Sequence, residues 1–339
     1  MWLALALVAC GKKPDPPKKH DGAVAPISID AAALDAAFSS DVEPTSPPPA
    51  PTLGKGRGDC KPDYAPRPKR DPNPMCKAPA GVFQMGTNAK DPLYVDSQPA
   101  HAVRVKRFRI DRYEVSVAQV VFYLNTVKSN HCPGARDDQC FAIGGDPELV
   151  REKDGVFSAG VGPLEAAGSG AGAGAERLPM SGAHTLGAER YCEWAGKRLP
   201  TSAEWEYAAR HDPRSGKDLT YPWGDRFEKN RTNCGDDCGD EFPREAPVGS
   251  FDGTGGRGDD SSPLGAHDMV GNAHELTASC FAPYKPCSGA CDDPGPATAP
   301  CARVTRGQSS ALGKAAIASF VRGRKAMGSG GFRCVVPEP

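Results

Sequence analysis

Beyond Arg210 the chain holds no sustained apolar period. Gly, Asp and Pro dominate, and the hydrophobic residues come as isolated words: YPWGD, APVGSF, HDMVGN and GFRCVV. Such a segment cannot build a core from long helices or sheets, so its polypeptide has to be fastened by other means. Disulfides and metal ions are the two available. The chain has 13 Cys among 339 residues. Setting Cys10 aside leaves an even number, which fits a set of disulfides formed in an oxidising compartment. The spacings Cys234-x3-Cys238 and Cys287-x3-Cys291 lack the paired C-x2-C rhythm of structural zinc. Connectivity is not readable from spacing alone.

Cys10 is set aside because of its surroundings. MWLALALVAC is apolar but too short to span a bilayer. It ends in Leu7-Val8-Ala9-Cys10-Gly11, which resembles the bacterial lipobox, where a signal peptide is removed and the new N-terminal Cys is lipidated. Residues 1–10 are therefore expected to be a lipoprotein signal peptide with Cys10 as the lipidated residue. Residues 11–58, rich in Pro and Ala, bury too little to fold and read as a disordered tether reaching roughly 40 Å. The expected location is extracytoplasmic and membrane-anchored, with the outer membrane as the assumed membrane. Its 41 basic and 42 acidic residues nearly cancel, which gives no reason to expect nucleic acid as a partner.

Residues 59–339 form the expected globular domain. GVFQMGT (81–87) and HAVRVKRFRID (101–111) read as strands, with Val103 and Val105 alternating with charges. SVAQVVFYLNTV (116–127) reads as a helix capped by Ser116. TLGAERYCEWAG (185–196) reads as a second. Thr201 and Glu204 form a T-x-x-E capping box that opens a third, with Trp205 facing inward. Residues 158–176 are a low-complexity Gly/Ala stretch inside an insertion, about 128–177, expected to be mobile.

The words HDMVGNAHEL (267–276), GVFQMGT, Asp96-x-x-Pro99-x-His101, FRIDRYEVS, LPMSGAHTLGAERYCEWAGKRLPTSAEWEYAAR, YPWGD, APVGSF, RGQS and GFRCV together resemble the formylglycine-generating enzyme family, or sulfatase-modifying factor domain, over residues 79–336. The resemblance implies a fold of α+β class with low regular secondary structure, related to the C-type-lectin-like fold, and two structural calcium ions. For one ion it implies Asp268, the carbonyls of Gly271 and Ala273, and Glu275. For the other it implies Asn233, the Cys234 carbonyl, Asp240 and the Phe242 carbonyl, on a shorter loop than the family has. Hard oxygens suit calcium, and small residues let carbonyls approach it. An ordinary Asx-turn with solvated acids is the plainer alternative. The resemblance also implies a Cys192–Cys334 disulfide. Cys60–Cys76, Cys132–Cys140 and Cys234–Cys238 are pairings of proximity, and Cys280, Cys287, Cys291 and Cys301 are expected to form two local bridges.

Active members of that family bind Cu(I) through two cysteines and convert a sulfatase Cys within Cys-x-Pro-x-Arg to formylglycine. Counted from Arg306, those cysteine positions fall on Leu312 and Ile317. Neither side chain can ligate copper, which needs soft thiolates. Ser309 matches the family serine; His274 and Leu276 replace family tryptophans. The seven His include no set on a separate helical domain such as the iron-dependent branch uses. His101 is expected to be structural, and His267 and His274 to have packing or surface roles. The functional expectation is a non-catalytic, calcium-stabilised module that binds a peptide, a glycan or an envelope protein, with copper not expected and no catalytic residue assigned. The alternatives are a divergent formylglycine-generating oxidase and a structural part of an envelope assembly.

Overall fold

The computed structural model describes residues 57–143, 149–160, 175–235, 238–308, 318–325 and 329–339. Cys10, the signal segment and residues 11–56 of the tether lie outside the described residues, as do Ser309, Leu312 and Ile317. The Arg57 N–H reaches Ser261 Oγ at 3.5 Å, and Gly58 packs against the Leu264 carbonyl so closely that a side chain there would overlap it.

The N-terminal strands are β1 (Cys60–Lys61), β2 (Met75–Ala78), β3 (Gly81–Met85), β4 (His101–Val105) and β5 (Phe108–Asp111). The helices are α1 (Val117–Val127), α2 (Thr185–Trp194) and α3 (Ser202–Arg210). Between α1 and α2 lies a hairpin of β6 (Val150–Lys153) and β7 (Val156–Ala159), and the two-residue β8 (Ala183–His184) leads into α2. Two short strands, β9 (His211–Asp212) and β10 (Lys217–Asp218), follow α3. The rest are β11 (Glu275–Cys280), β12 (Cys291–Asp292), β13 (Arg303–Arg306), β14 (Arg322–Lys325), β15 (Ser329–Gly330) and β16 (Val335–Pro337).

The strands make small separate sheets. β1-β2-β5-β16 is antiparallel throughout, β12-β4-β3 adds one parallel pairing, and β11-β13-β14 forms the third. From Leu219 to His274 the described residues contain only isolated bridges, at Tyr221–Gly224 and Asp252–Asp259. The α+β expectation with low regular structure is what the chain adopts.

Both expected capping boxes are present. Ser116 Oγ accepts from Gln119 N while Gln119 accepts from Ser116 N, and Thr201 and Glu204 do the same. Each satisfies two orphan N–H groups at a helix start. Helix α2 is capped by His184, whose Nδ1 accepts from Leu186 N at 3.2 Å. Trp205 is fully buried, in a core with Phe83, Phe108, Ile110, Met269 and Val335. The polar face that a surface helix would show to water is also buried on α3: Glu206 receives Arg210 and Arg306 there. A second core joins Tyr123, Phe141, Tyr191, Trp194 and Phe332 through edge and tilted ring contacts of 5.2–6.3 Å.

The insertion expected over about 128–177 contains order that the sequence reading did not anticipate. Asp154 and Gly155 both take positive φ (54° and 75°) and close the β6–β7 hairpin. Two consecutive left-handed residues make the mirror-image turn that matches strand twist, and Asp-Gly is its favoured pair. Val150 and Phe157 bury their side chains, and the Phe157 amide and carbonyl bond to Asn125 on α1 at 3.0 and 2.7 Å. Residues 144–148 and 161–174 lie outside the described residues.

All twelve described cysteines pair: Cys60–Cys76, Cys132–Cys140, Cys192–Cys334, Cys234–Cys238, Cys280–Cys301 and Cys287–Cys291. The two bridges expected among the last four cysteines therefore join 280 to 301 and 287 to 291. No helix among the described residues is long and apolar enough to cross a membrane.

Candidate functional site

The first expected ligand set lies on the loop that leads into β11. Asp268, Gly271 and Asn272 all have positive φ (56°, 76° and 54°), which coils the loop tightly. Only glycine fits at 271, because a Cβ there would lie 2.2 Å from the Asn233 carbonyl oxygen. Asp268 is buried; its Oδ2 accepts from Gly249 N at 2.7 Å, and its own N–H donates to Asp260 Oδ2 at 2.9 Å. Glu275 is buried at the head of β11. It accepts from Arg333 on both oxygens and from Trp205 Nε1 at 2.8 Å. Among the described residues, no backbone N–H donates to the carbonyls of Gly271 or Ala273.

A third acid, absent from the sequence expectation, bonds to this loop. Glu114, buried at the end of the FRIDRYEVS word, accepts from Ala273 N at 3.0 Å and from Asn272 Nδ2 at 2.6 Å. Burial, then Asp268 and Glu275, raise its carboxyl well above the usual range. Burial, then Asp260, push Asp268 up to about 7. Glu275 pairs directly with Arg333, while Glu114 and Asp268 are buried near enough for their charges to be felt by it. Buried acids and two carbonyls that no described backbone N–H reaches are the donor types that suit a divalent cation bound by hard oxygens. Glu275 has the least spare capacity, since Arg333 and Trp205 occupy most of its lone pairs.

The residues of the second expected set lie on one stretch, 233–242. Asn233 is buried; its Nδ2 donates to the Arg244 carbonyl at 2.6 Å and to Asn272 Oδ1 at 3.2 Å, while its Oδ1 has no partner among the described residues. Asp240 receives Cys234 N at 3.2 Å and Phe242 N at 3.0 Å. Asn233, Cys234, Asp240 and Phe242 are therefore held on one loop, closed by the Cys234–Cys238 bridge. A buried amide oxygen left without a donor carries a desolvation cost that a bound cation would remove.

Asp259, Asp260 and His267 also gather within reach of one ion. Both His267 ring nitrogens are engaged, however: Nδ1 meets Asp260 Oδ1 at 2.6 Å, and Nε2 faces Arg112 Nη2 at 3.1 Å. Guanidinium only donates, so Nε2 accepts and Nδ1 carries the proton. The ring stacks on Tyr113 at 5.4 Å. This is the packing role expected of His267. His274 is half-buried with Nε2 3.0 Å from the Ser329 carbonyl, and His101 Nδ1 lies 3.0 Å from the Pro99 carbonyl.

Next to the first loop runs the strand that leads to positions 309–317. Glu275 and Arg306 are cross-strand partners, and Gly271 N donates to the Gly307 carbonyl at 2.7 Å. Arg306 is fully buried. It donates to Ser202 Oγ, Tyr284 Oη and the Phe320 carbonyl at 2.7–3.1 Å, and it pairs with Glu206 at 2.9 Å. Arg322 lies over the Tyr284 ring at 3.7 Å and the Phe281 ring at 4.8 Å. Leu93 and Val95 stand exposed beside Tyr94, which meets Phe320 edge-on at 5.1 Å. The residues that follow Gln308, including the two positions where the family has cysteines, lie outside the described residues.

Comparison with known proteins decides the family. Residues 61–337 match the sulfatase-modifying factor enzyme 1-like domain. The chain belongs to that family. It is 33% identical over 227 residues to the inactive C-alpha-formylglycine-generating enzyme 2 of Mus musculus, covering 62% of this chain and 70% of that protein. It is 29% identical over 255 residues to the formylglycine-generating enzyme of Mycobacterium tuberculosis, covering 67% and 78%. The solved structure of PvdO from Pseudomonas aeruginosa superposes with a TM-score of 0.57, covering 84% of this chain and all of that one at 23% identity. That likeness shows the fold.

Glu114, Asn272 and Arg333 are the site residues that sequence reasoning missed. Each sits inside a quoted family word, but a buried acid or guanidinium leaves no period or spacing in the sequence. Their role appears only once three distant segments are brought together.

Proposed function

We propose that this chain is a non-catalytic member of the family, a ligand- or protein-binding module stabilised by two calcium ions. The observation that carries this reading is the fate of the thiols. All twelve described cysteines are consumed in disulfides, while positions 312 and 317 hold Leu and Ile. A Cu(I) site needs two soft thiolates at that place, and this sequence does not supply them. Similarity to a relative named inactive supports the same reading. Asp268, Glu275 and the carbonyls of Gly271 and Ala273 would hold one ion. Asn233, Asp240 and the carbonyls of Cys234 and Phe242 would hold the other. The ions supply rigidity to a segment that lacks strands and helices.

Six disulfides support an oxidising, extracytoplasmic setting. The LVACG stretch supports attachment through a lipid on Cys10, so that residues 11–58 tether the domain above a membrane. The partner would be a peptide, a glycan or another envelope protein, held beside the exposed Leu93 and Val95.

The test is direct. The purified, calcium-loaded chain is incubated with a Cys-x-Pro-x-Arg peptide, Cu(I) and oxygen, and the peptide is weighed by mass spectrometry. An unchanged cysteine is the expected result. Formylglycine would overturn the reading in favour of a divergent oxidase, a possibility that the similarity to the Mycobacterium tuberculosis enzyme keeps in view.

A further inference from the structure

The two ligand loops are not independent. Gly271 and Asn233 lie 38 residues apart in sequence, yet a pair of amides stitches their loops together in both directions. The Asn272 N–H donates to the Asn233 carbonyl at 2.8 Å. Asn233 Nδ2 donates to Asn272 Oδ1 at 3.2 Å. Each bond aims a ligand of the other loop. The peptide plane is trans, so anchoring the Asn272 N–H on Asn233 turns the Gly271 carbonyl the opposite way. Anchoring Asn233 Nδ2 on Asn272 and on the Arg244 carbonyl fixes which end of that amide is the oxygen, and leaves Oδ1 without a donor.

Asn272 is itself fully committed. Its Oδ1 also accepts from Ala246 N at 2.8 Å, and its Nδ2 donates to Glu114 at 2.6 Å and to the Ala246 carbonyl at 3.3 Å. An amide offers two donors and two acceptor positions, and all are engaged. Asn272 is buried and holds a left-handed φ of 54°. Ordering this side chain is a cost common to both loops.

We infer that the Asn233–Asn272 amide pair couples the two calcium sites, so that filling either one raises the affinity of the other. The inference rests on the calcium reading proposed above. The first ion orders the shared pair, and the second binds a loop whose ligands already point inward. By linkage the factor is the same in both directions. Asn272 is a positioning residue here, with no atom of its own on either ion.

The experiment is calcium titration by calorimetry of the full chain in detergent, as a double-mutant cycle. Asp240→Asn weakens the second loop at a half-buried position, and Asn272→Gly removes the linking side chain while tolerating positive φ. In the chain with Asn272 intact, Asp240→Asn is expected to lower calcium affinity at the Asp268 loop at least five-fold. In the Asn272→Gly background the same change is expected to leave that affinity unaltered. An equal effect of Asp240→Asn in both backgrounds, or none in either, overturns the coupling while leaving two bound ions and the calcium reading intact. A wild-type chain that binds no calcium overturns both. Should Asn272→Gly fail to fold by circular dichroism, Asp268→Asn supplies the reciprocal arm. It is expected to lower calcium affinity at the Asn233 loop, and an unchanged affinity there overturns the coupling.

Discussion

Arg333 closes on Glu275 through Nε at 3.0 and 2.8 Å and through Nη2 at 2.6 Å, with neither side chain exposed to solvent. Arg333 also donates to the carbonyls of His267 at 2.9 Å and of Asp111 and Arg112 at 3.3 Å, so one guanidinium joins three separate chain segments. Burial alone would lower its pKa, but Glu275 beside it holds it above the usual value.

Replacing that guanidinium leaves Glu275 without its paired cation and removes a positive charge near Glu114 and Asp268. Breaking a buried pair from one side costs about 3–5 kcal/mol. Arg333→Met is therefore expected to lose about that much in urea unfolding under chelating conditions. Saturating calcium is expected to restore part of the loss, because the ion supplies positive charge to the same acids. A loss that is the same with calcium and with chelator would remove the charge argument.

Calcium itself is expected to stabilise the wild-type chain. A ligand at a hundred times its dissociation constant adds about 2.7 kcal/mol per site to the folded state. For two sites in a domain of this size that is on the order of 10 °C in melting temperature. Differential scanning calorimetry in calcium and then in chelator reads it directly. Equal melting temperatures would count against both sites.

The disulfides are expected to differ in weight. Cys192–Cys334 closes a separation of 142 residues, and Cys287–Cys291 one of 4. Chain entropy assigns about 5 kcal/mol to the first and about 2 to the second. Paired Cys→Ala substitutions measured by chemical denaturation are expected to keep that order. The reverse order would mean that native-state strain outweighs the loop term.

What the sequence disclosed and what it hid divide along physical lines. Caps at Ser116 and Thr201 act within four residues, so local pattern carries them. The β6–β7 hairpin had its own signal in Asp154-Gly155 between Val150 and Val156, but the Gly/Ala stretch beginning at residue 158 obscured it. Asp268, Gly271, Ala273 and Glu275 could be placed because a family word carries them in order. Glu114 could not, since its carboxylate reaches the loop from 158 residues away, accepting from Asn272 Nδ2 and Ala273 N. Long-range polar partners of this kind have no periodicity to read.

The last expectation concerns pH. Lys197 sits between Asp71 at 2.8 Å and Asp111 at 2.6 Å, all three fully buried. Two acids around one ammonium carry an excess negative charge. Burial first, and Asp71 with it, push the Asp111 carboxyl up to about 7 against the pull of Lys197. Between an unfolded value of 3.8 and this folded value, the native chain holds a proton that the unfolded chain has released. Stability from this group is therefore complete below about pH 4, falls as pH rises toward 7, and is lost above it. The full range is on the order of 4 kcal/mol at most. Asp111→Asn removes the titrating group while keeping its shape, and urea unfolding at pH 5 and pH 7.5 measures the outcome. The wild-type chain is expected to lose more stability between those two values than the variant does. An identical loss would mean that the triad holds its charge across the whole range, with Lys197 balancing both carboxylates.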